Sequence, residues 1–218
     1  ERLFDIFYAL AEQGANNINL VTPTHFVPAI VPALERAKEL GLRLPVVYNT
    51  GTYETVETLR MLDGLVDIWL PDFKYVSPEL ASRYSFAPDY FDVASTALEE
   101  MVRQTRAAQR HDTWVPDLCV FDLDGMMTRG ILVRHLILPG CVDNSLKVLD
   151  WIGENFAPGE VLVSLMRQYT PMGNLPAPLD RRVTDEEYDA VLSWMYLNDL
   201  QGFTQEADAA DVGFIPDF

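Results

Sequence analysis

The sequence predicts an α/β fold, arranged as a partial parallel β/α barrel. Short apolar segments with strand character alternate with amphipathic helical segments through most of the 218 residues. These strand segments are near-continuous apolar runs, which is typical of parallel strands covered on both faces. Nothing indicates an internal repeat or a second domain, so we expect residues 1–218 to form one domain. A doubly wound open sheet is the alternative arrangement of the same units.

Glycine and proline mark the ends of the predicted elements in the first half of the chain. Gly14 and Gly41 follow two amphipathic helices, and Pro28 lies near the start of the second helix. Runs of β-formers between turn residues predict the strands. In order, the predicted elements are helix 2–13, strand 17–21, helix 26–40, strand 44–48, helix 53–62 and strand 66–74.

The second half of the chain continues this alternation with one irregular interval. Ser77 and Pro78 predict the cap and first turn of a short helix, and Thr184 with Glu187 forms a capping-box pattern. Because the chain opens on a helix that should follow a strand, we expect a first strand upstream of residue 1. The remaining elements are helix 89–110, an irregular loop over 111–129, strand 131–138, helix 143–156, strand 161–169, a proline-rich loop over 170–182, helix 184–200 and an irregular tail to 218.

The composition argues against several classes of function. The net charge of −17, from 33 acidic and 16 basic residues, repels a phosphate backbone and disfavours nucleic-acid binding. No apolar run has the length of a membrane span and the start lacks a signal-peptide pattern, so we expect a cytoplasmic protein without a membrane partner. Cys119 and Cys141 form no CxxC pair and are expected to be free thiols, and the three histidines are too scattered for a zinc site.

Polar side chains at the carboxyl ends of the strands are the candidates for a ligand site, because parallel β/α folds bind ligands there. In strand 66–74 the alternation of side chains places Asp72 and Lys74 on one face at the carboxyl end. A carboxylate suits a ribose or an ammonium group, and a lysine suits a carboxylate or a phosphate. A structural ion pair between the two is the alternative interpretation.

Amides and hydroxyls near the ends of the two preceding strands are further candidates for polar contacts with a ligand. Asparagines in strands equally suit bracing of their neighbours, and an Asn-Thr pair before a glycine equally suits a turn. The candidates here are Asn19, Thr24, His25, Asn49 and Thr50.

Arg134 and His135 interrupt an otherwise apolar strand, so one of them must face the barrel interior and the other the helices. An inward arginine needs an anion or several carbonyl groups around it. We expect Arg134 to be the inward residue, where it would pair with Asp72 or bind a ligand carboxylate.

Five segments of the chain together carry a resemblance to a known family. They are NINLVTPTHFVP (17–28), VYNT (47–50), VDIWLPDFKY (66–75), LVRHLILPG (132–140) and VSLMRQY (163–169). In this order they resemble the radical S-adenosylmethionine (SAM) proteins of the pyruvate formate-lyase activating enzyme type. This resemblance implies a TIM-barrel-like partial barrel that binds S-adenosyl-L-methionine and a 4Fe-4S cluster. It implies reductive cleavage of SAM to a 5′-deoxyadenosyl radical that abstracts hydrogen, and a glycyl-radical enzyme or other protein substrate as partner.

The resemblance also implies SAM-binding roles by position. The segment 22–25 occupies the place of the Gly-Gly-Glu segment that meets the SAM amino group, although the residues here are Thr-Pro-Thr-His. Asp72 and Lys74 match an Asp-x-Lys element near the SAM ribose and carboxylate. Arg134 matches the arginine before a Pro-Gly turn, and Asn49 with Thr50 falls near the SAM site.

The chain departs from this family because it lacks the CxxxCxxC motif that binds the cluster. Cys119 and Cys141 lie in other segments and are too few for three thiolate ligands. We therefore expect the cluster ligands upstream of residue 1 and an inactive fragment on its own, with a degenerate member of the family as the alternative. Two other functions stay open: a barrel-fold lyase that forms a Schiff base at Lys74, and a non-catalytic barrel that binds SAM or a partner protein.

Overall fold

The computed structural model describes residues 2–108 and 118–205. The strands are β1 (Ile18–Val21), β2 (Val46–Thr50), β3 (Ile68–Pro71), β4 (Val120–Phe121), β5 (Met127–Leu136), β6 (Leu162–Met166) and β7 (Gly202–Thr204). The helices are α1 (Arg2–Glu12), α2 (Val27–Glu39), α3 (Val56–Arg60), α4 (Pro78–Ser85), α5 (Tyr90–Ala108), α6 (Val142–Asn155) and α7 (Asp185–Leu197).

The sheet is mostly parallel, which confirms the predicted fold class. Its strand order is β1-β2-β3-β5-β6-β7, and β4 pairs with β5 outside this path. The pairs β1–β2, β2–β3, β3–β5 and β6–β7 are parallel, whereas β4–β5 is antiparallel. Helices connect most of the consecutive parallel strands, as in the β/α units that the alternation predicts.

Each strand and helix predicted within the chain is present in the described residues, but several ends differ from the predictions. Strand β2 continues through Asn49 and Thr50, two residues beyond its predicted end at Tyr48. Helix α3 begins at Val56 because the Thr55 hydroxyl caps it, accepting from the N–H of Thr58 at 3.2 Å. The predicted capping box is confirmed, since Thr184 and Glu187 bond reciprocally at the start of α7.

Two short strands fall where the sequence predicts irregular chain. The prediction of an irregular loop over 111–129 is wrong for its later part, where β4 and the start of β5 form a hairpin. Residues 109–117 lie outside the described residues. In the tail, β7 pairs with β6, and residues 206–218 lie outside the described part of the chain. Strands of two or three residues carry too little periodicity to be predicted.

The first of two compact units comprises Glu1–Asp72, Asp92–Leu132 and Gly159–Val161. Its core lies between the sheet and the helices, where the rings of Tyr48 and Trp69 are 5.3 Å apart and at most 1% exposed. Helix α1 packs on α2. Burial of each such large side chain stabilises the fold by about 1.5–3 kcal/mol.

The second compact unit comprises Phe73–Phe91, Val133–Pro158 and Leu162–Phe218. Its centre is an aromatic cluster in which Phe73 stacks on Trp151 with ring centroids 4.9 Å apart, and Tyr90 meets Phe73 edge-on. Helix α6 packs on α7. The prediction of a single domain over 1–218 stays a prediction.

Candidate functional site at the carboxyl ends of the first three strands

The carboxyl ends of β1, β2 and β3 lie level with one another in the first unit. The register pairs Thr50 with Pro71. One residue beyond β1, the N–H of Thr22 donates to the carbonyl of Asn49 at 2.8 Å. One residue beyond β3, the N–H of Asp72 donates to the carbonyl of Thr50 at 2.8 Å. Backbone pairing therefore fixes three predicted site residues, Asn49, Thr50 and Asp72, at one edge of the sheet.

Side-chain alternation divides these residues between the two faces of the sheet. The strand registers place Asn19, Asn49 and Leu70 on one face, and Asp72 follows Leu70 with the same parity. Asn19 is exposed, and Asn49 and Asp72 are half-buried, so solvent reaches this face. Thr50 projects from the opposite, helix-covered face and is only 3% exposed. The structure thus brings three of the predicted residues onto one accessible face and separates Thr50 from them.

Glu54, which was not among the predicted site residues, joins Thr50 to the loop after β1. Its Oε1 accepts hydrogen bonds from Thr24 Oγ1 at 2.6 Å, from Thr50 Oγ1 at 2.6 Å and from the Tyr48 phenol at 3.2 Å. Glu54 is 3% exposed. Its position just beyond a strand end only weakly indicates a site residue. Its bond to Thr24 could not be predicted, because the two residues are 30 positions apart in the chain.

The chain around Glu54 adopts an unusual backbone conformation. Thr52 has a φ of 66°, a left-handed value that costs a residue with a branched Cβ about 1–3 kcal/mol. Its N–H donates to Thr50 Oγ1 at 3.1 Å, so the Thr50 hydroxyl both donates and accepts. Among the described residues, Glu54 Oε2 and Thr52 Oγ1 are buried oxygens without a hydrogen-bond partner. Such unsatisfied groups and strained residues concentrate at functional sites.

The phenol of Tyr48 acts as a donor in this cluster. Burial, together with the neighbouring Glu54 carboxylate, raises the pKa of Tyr48 well above its ordinary value. The phenol therefore stays protonated at physiological pH and donates a hydrogen bond to Glu54 Oε1. A carboxylate oxygen that receives three hydroxyl donors is a strongly stabilised acceptor.

Lys74 lies in the second unit, and its backbone is fixed on both sides. Its N–H donates to the Tyr90 phenol at 3.2 Å, and its carbonyl accepts from Asn144 Nδ2 at 3.0 Å. The Oδ1 of the same Asn144 accepts from the N–H groups of Val76 and Ser77 at 3.0 and 3.2 Å. Asn144, in the first turn of α6, was also not predicted, because its partners lie far away in the chain.

Arg134 and His135 lie on opposite faces of β5 in the second unit. His135 is fully buried against α6, with Nε2 at 2.9 Å from Ser145 Oγ and Nδ1 at 2.7 Å from the Phe73 carbonyl. Arg134 is half-buried on the other face, and its carbonyl accepts from the N–H of Phe73 at 2.9 Å. Of the remaining predicted residues, Thr24 is bonded to Glu54, and His25 is exposed.

The residues present do not fit a 4Fe-4S cluster. In the described ranges no group of three or more His, Cys, Asp or Glu side chains is arranged to hold a metal ion. Cys119 and Cys141 are both buried free thiols, and they belong to different units. No described helix combines the length and apolar character that crossing a membrane requires.

Two cavities lie away from the strand ends that carry the predicted residues. One of about 430 Å³ lies at the amino ends of β1–β3 in the first unit and is lined by Lys38, Arg43 and Asp67, among others. The other, of about 580 Å³ in the second unit, is lined by Met195, Tyr196 and the segment 199–202, among others. Neither cavity is lined by a predicted site residue.

Comparison with known proteins gives one similar curated sequence. No family model matches the chain. The uncharacterized protein MJ0674 of Methanocaldococcus jannaschii is 28% identical over 183 residues, which cover 82% of this chain and 45% of that protein. The chain thus spans less than half the length of this relative.

Solved structures establish the fold. A domain of pyruvate-formate lyase-activating enzyme from Bacteroides vulgatus matches with a TM-score of 0.57 at 11% identity, covering 88% of this chain and 100% of that domain. Streptococcus suis SuiB bound to S-adenosylmethionine matches with a TM-score of 0.53 at 10% identity, covering 93% of this chain and 41% of SuiB. SuiB bound to its precursor peptide SuiA gives 0.52 at 10% identity, covering 94% of this chain and 41% of SuiB. The chain therefore shares the fold of these structures, a partial β/α barrel with a mostly parallel sheet.

Proposed function

We propose that the first unit binds S-adenosylmethionine at the carboxyl ends of β1, β2 and β3. The observation that carries this proposal is the position of Asn49 and Asp72 at that edge, on a solvent-reached face that also carries Asn19, two residues before the end of β1. The fold that the chain shares with SuiB, which has been solved with S-adenosylmethionine bound, supports the same ligand. Ligands of parallel β/α folds bind at this end of the strands.

The residues of the first unit suit the polar groups of this ligand. The Asp72 carboxylate offers acceptors to ribose hydroxyls, and the side-chain amides of Asn19 and Asn49 offer both donors and acceptors to the adenine and amino-acid parts. Thr24 and Thr50 donate hydrogen bonds to Glu54 through their hydroxyl groups. We therefore assign them a structural role, which is to hold the loop after β1 in place. For Lys74 and Arg134, contact with the ligand carboxylate stays a prediction.

We further propose that radical chemistry belongs to a protein that also contains a CxxxCxxC segment. When bound, the 4Fe-4S cluster would supply the electron for reductive cleavage of SAM, and this chain alone is expected to be inactive in that step. Hydrogen abstraction from a glycyl-radical enzyme or another protein or peptide would then be the reaction of the whole protein. The resemblance to activating enzymes and the peptide-bound SuiB structure support a polypeptide substrate.

Calorimetric titration with SAM tests the binding proposal. We expect saturable binding to the wild-type chain and about tenfold weaker binding to Asp72→Asn, because a hydrogen bond to a charged acceptor contributes about 1.5–3 kcal/mol. Asp5→Asn, which neutralises an exposed carboxylate on α1, is the matched control and should bind like the wild type. Absence of SAM binding to the wild type, or equal binding to Asp72→Asn, would refute this site.

A further inference from the structure

The cavity at the amino ends of the first three strands is built from the first unit alone. Its volume of about 430 Å³ is within the range of pockets that bind small molecules. The residues just before β1, β2 and β3 and the first residues of β5 line it, and all of them belong to that unit. Asn49 and Asp72 lie at the opposite ends of these strands, so a ligand in this cavity is separate from the proposed S-adenosylmethionine site.

One wall of this cavity is basic and is held in place by the fold. Lys38 Nζ, in the last turn of α2, lies 3.1 Å from Asp67 Oδ2, and the same oxygen accepts from the N–H of Val46 at 2.8 Å. A backbone hydrogen bond of 2.9 Å from Leu42 closes the turn that follows α2. Arg43 comes next and is exposed, and its guanidinium has no hydrogen-bond or ion-pair partner among the described residues.

A second wall of the cavity is acidic. The turn of the β4–β5 hairpin forms this wall and contributes Asp122 and Asp124. Asp122 Oδ1 accepts from the N–H groups of Asp124 and Met126 at 3.0 and 2.9 Å, which fixes the turn. Within the described ranges, Asp122 Oδ2 and both carboxylate oxygens of Asp124 accept no hydrogen bond, so they remain available to a ligand.

Opposite charges therefore line one cavity without contacting each other. In the part of the chain that the structure describes, no ion pair or hydrogen bond joins Arg43 to Asp122 or Asp124. A ligand that carries both charges can pair with the two walls at once, because complementary charge fixes its orientation in the pocket. Leu42 and Met127 also line the cavity and offer apolar contact to the carbon atoms of such a ligand.

We propose that this cavity binds a small zwitterion of the amino-acid or short-peptide class, with its carboxylate at Arg43 and its ammonium groups at Asp122 and Asp124. Lys38 and Asp67 neutralise each other, so two carboxylates against one guanidinium leave the walls with an excess negative charge. A ligand with a basic side chain complements this excess, since it carries two ammonium groups and one carboxylate. Both walls are fixed by hydrogen bonds before the ligand arrives, which lowers the entropy cost of binding.

Calorimetric titration with the dipeptide lysyl-alanine tests this inference. We expect saturable binding to the wild type and about fivefold weaker binding of lysyl-alanine amide, which lacks the carboxylate, because a solvent-exposed ion pair contributes at most about this factor. Arg43→Gln should weaken lysyl-alanine about fivefold and bind the dipeptide and its amide equally. Asp124→Asn should weaken both compounds about fivefold. Arg2→Gln and Asp5→Asn, at exposed residues of α1, are the matched controls and should bind like the wild type.

Three results would overturn the inference. They are no binding of lysyl-alanine to the wild type at about 10 mM, equal binding of the dipeptide and its amide to the wild type, and losses in the control variants as large as in Arg43→Gln and Asp124→Asn. Wild-type affinity in both cavity variants would likewise place the ligand elsewhere. If Arg43→Gln does not fold, the comparison of the two compounds on the wild type and on Asp124→Asn still decides. Titration of Arg43→Gln with SAM should match the wild type, so this test is independent of the proposed function.

Discussion

At the scale of single residues, His135 shows how one side chain links three parts of the second unit. Its ring lies between the carbonyl of Phe73 and the hydroxyl of Ser145. Because a carbonyl can only accept, Nδ1 carries the proton and Nε2 accepts from Ser145. Complete burial, opposed in part by the bond to Phe73, lowers the pKa of His135 to about 4. The imidazole is therefore neutral near pH 7.

This burial predicts a loss of stability in mildly acidic solution. The unfolded chain protonates His135 near pH 6.5 but the folded chain only near pH 4, so the unfolded state binds more protons between these values. Stability is fully present above pH 6.5 and should fall by about 1 kcal/mol between pH 7.5 and 5.5.

Urea denaturation across this pH range measures the effect. His135→Gln should lower the free energy of unfolding at pH 7.5. It should also remove most of the slope of this free energy against pH between pH 7.5 and 5.5. His25→Gln, at an exposed histidine, is the control and should keep that slope. An unchanged slope in His135→Gln would show that other groups cause the acid dependence.

At the scale of elements, the β4–β5 hairpin depends on a close approach at Gly130. Asp122 Oδ1 shapes the turn by accepting from the N–H groups of Asp124 and Met126 at 3.0 and 2.9 Å. Gly130, with a φ of 134°, leaves no room for a side chain, because an added Cβ would lie 2.8 Å from the Cα of Cys119. Its N–H donates to the carbonyl of Asp67 at 3.0 Å, which ties β5 to the chain before β3.

Two alanine substitutions separate this contact from backbone strain. Gly125→Ala, in the same hairpin at a φ of 77° with open space around it, should cost only the left-handed penalty of about 1–2 kcal/mol. Gly130→Ala adds a clash with backbone atoms and should cost at least about 1 kcal/mol more than Gly125→Ala. Thermal denaturation of both variants measures the difference, and equal losses would contradict the role given to this contact.

At the scale of the whole molecule, the net charge of −17 determines the long-range electrostatics. A chain so far from neutrality loses stability through self-repulsion, although it gains solubility. The described ion pairs compensate this charge only locally, as at Arg106 with Glu160 in the first unit and Arg181 with Glu187 in the second. Because acidic residues outnumber basic ones 33 to 16, solvent and counterions must screen the remaining negative charge.

Moderate salt should therefore stabilise the protein. Raising NaCl from about 0.01 to about 0.1 M shortens the Debye length from about 30 to about 10 Å, which screens repulsion between distant carboxylates more than attraction within close pairs. We expect the melting temperature to rise by a few degrees over this range. A constant or falling melting temperature would mean that close ion pairs outweigh the net repulsion.

The alternation of apolar strands and helices was sufficient to predict the fold, because hydrophobic periodicity within short windows of sequence distinguishes strands from helices. The division of the site between two faces was not predictable, since it depends on β2 continuing through Asn49 and Thr50 instead of ending at Tyr48. Glu54 and Asn144 were missed for a related reason. Their importance lies in bonds to residues distant in the chain, which no window of sequence contains.

The three hydrogen bonds of Asn144 have a mechanical consequence for the segment that carries Lys74. They join the first turn of α6 to the backbone of residues 74–77 without any flexible connection between them. The only link needed between the helix and this backbone segment is the amide group of one side chain. The place of the Lys74 backbone is therefore set by the packing of helix α6 as well as by the end of β3.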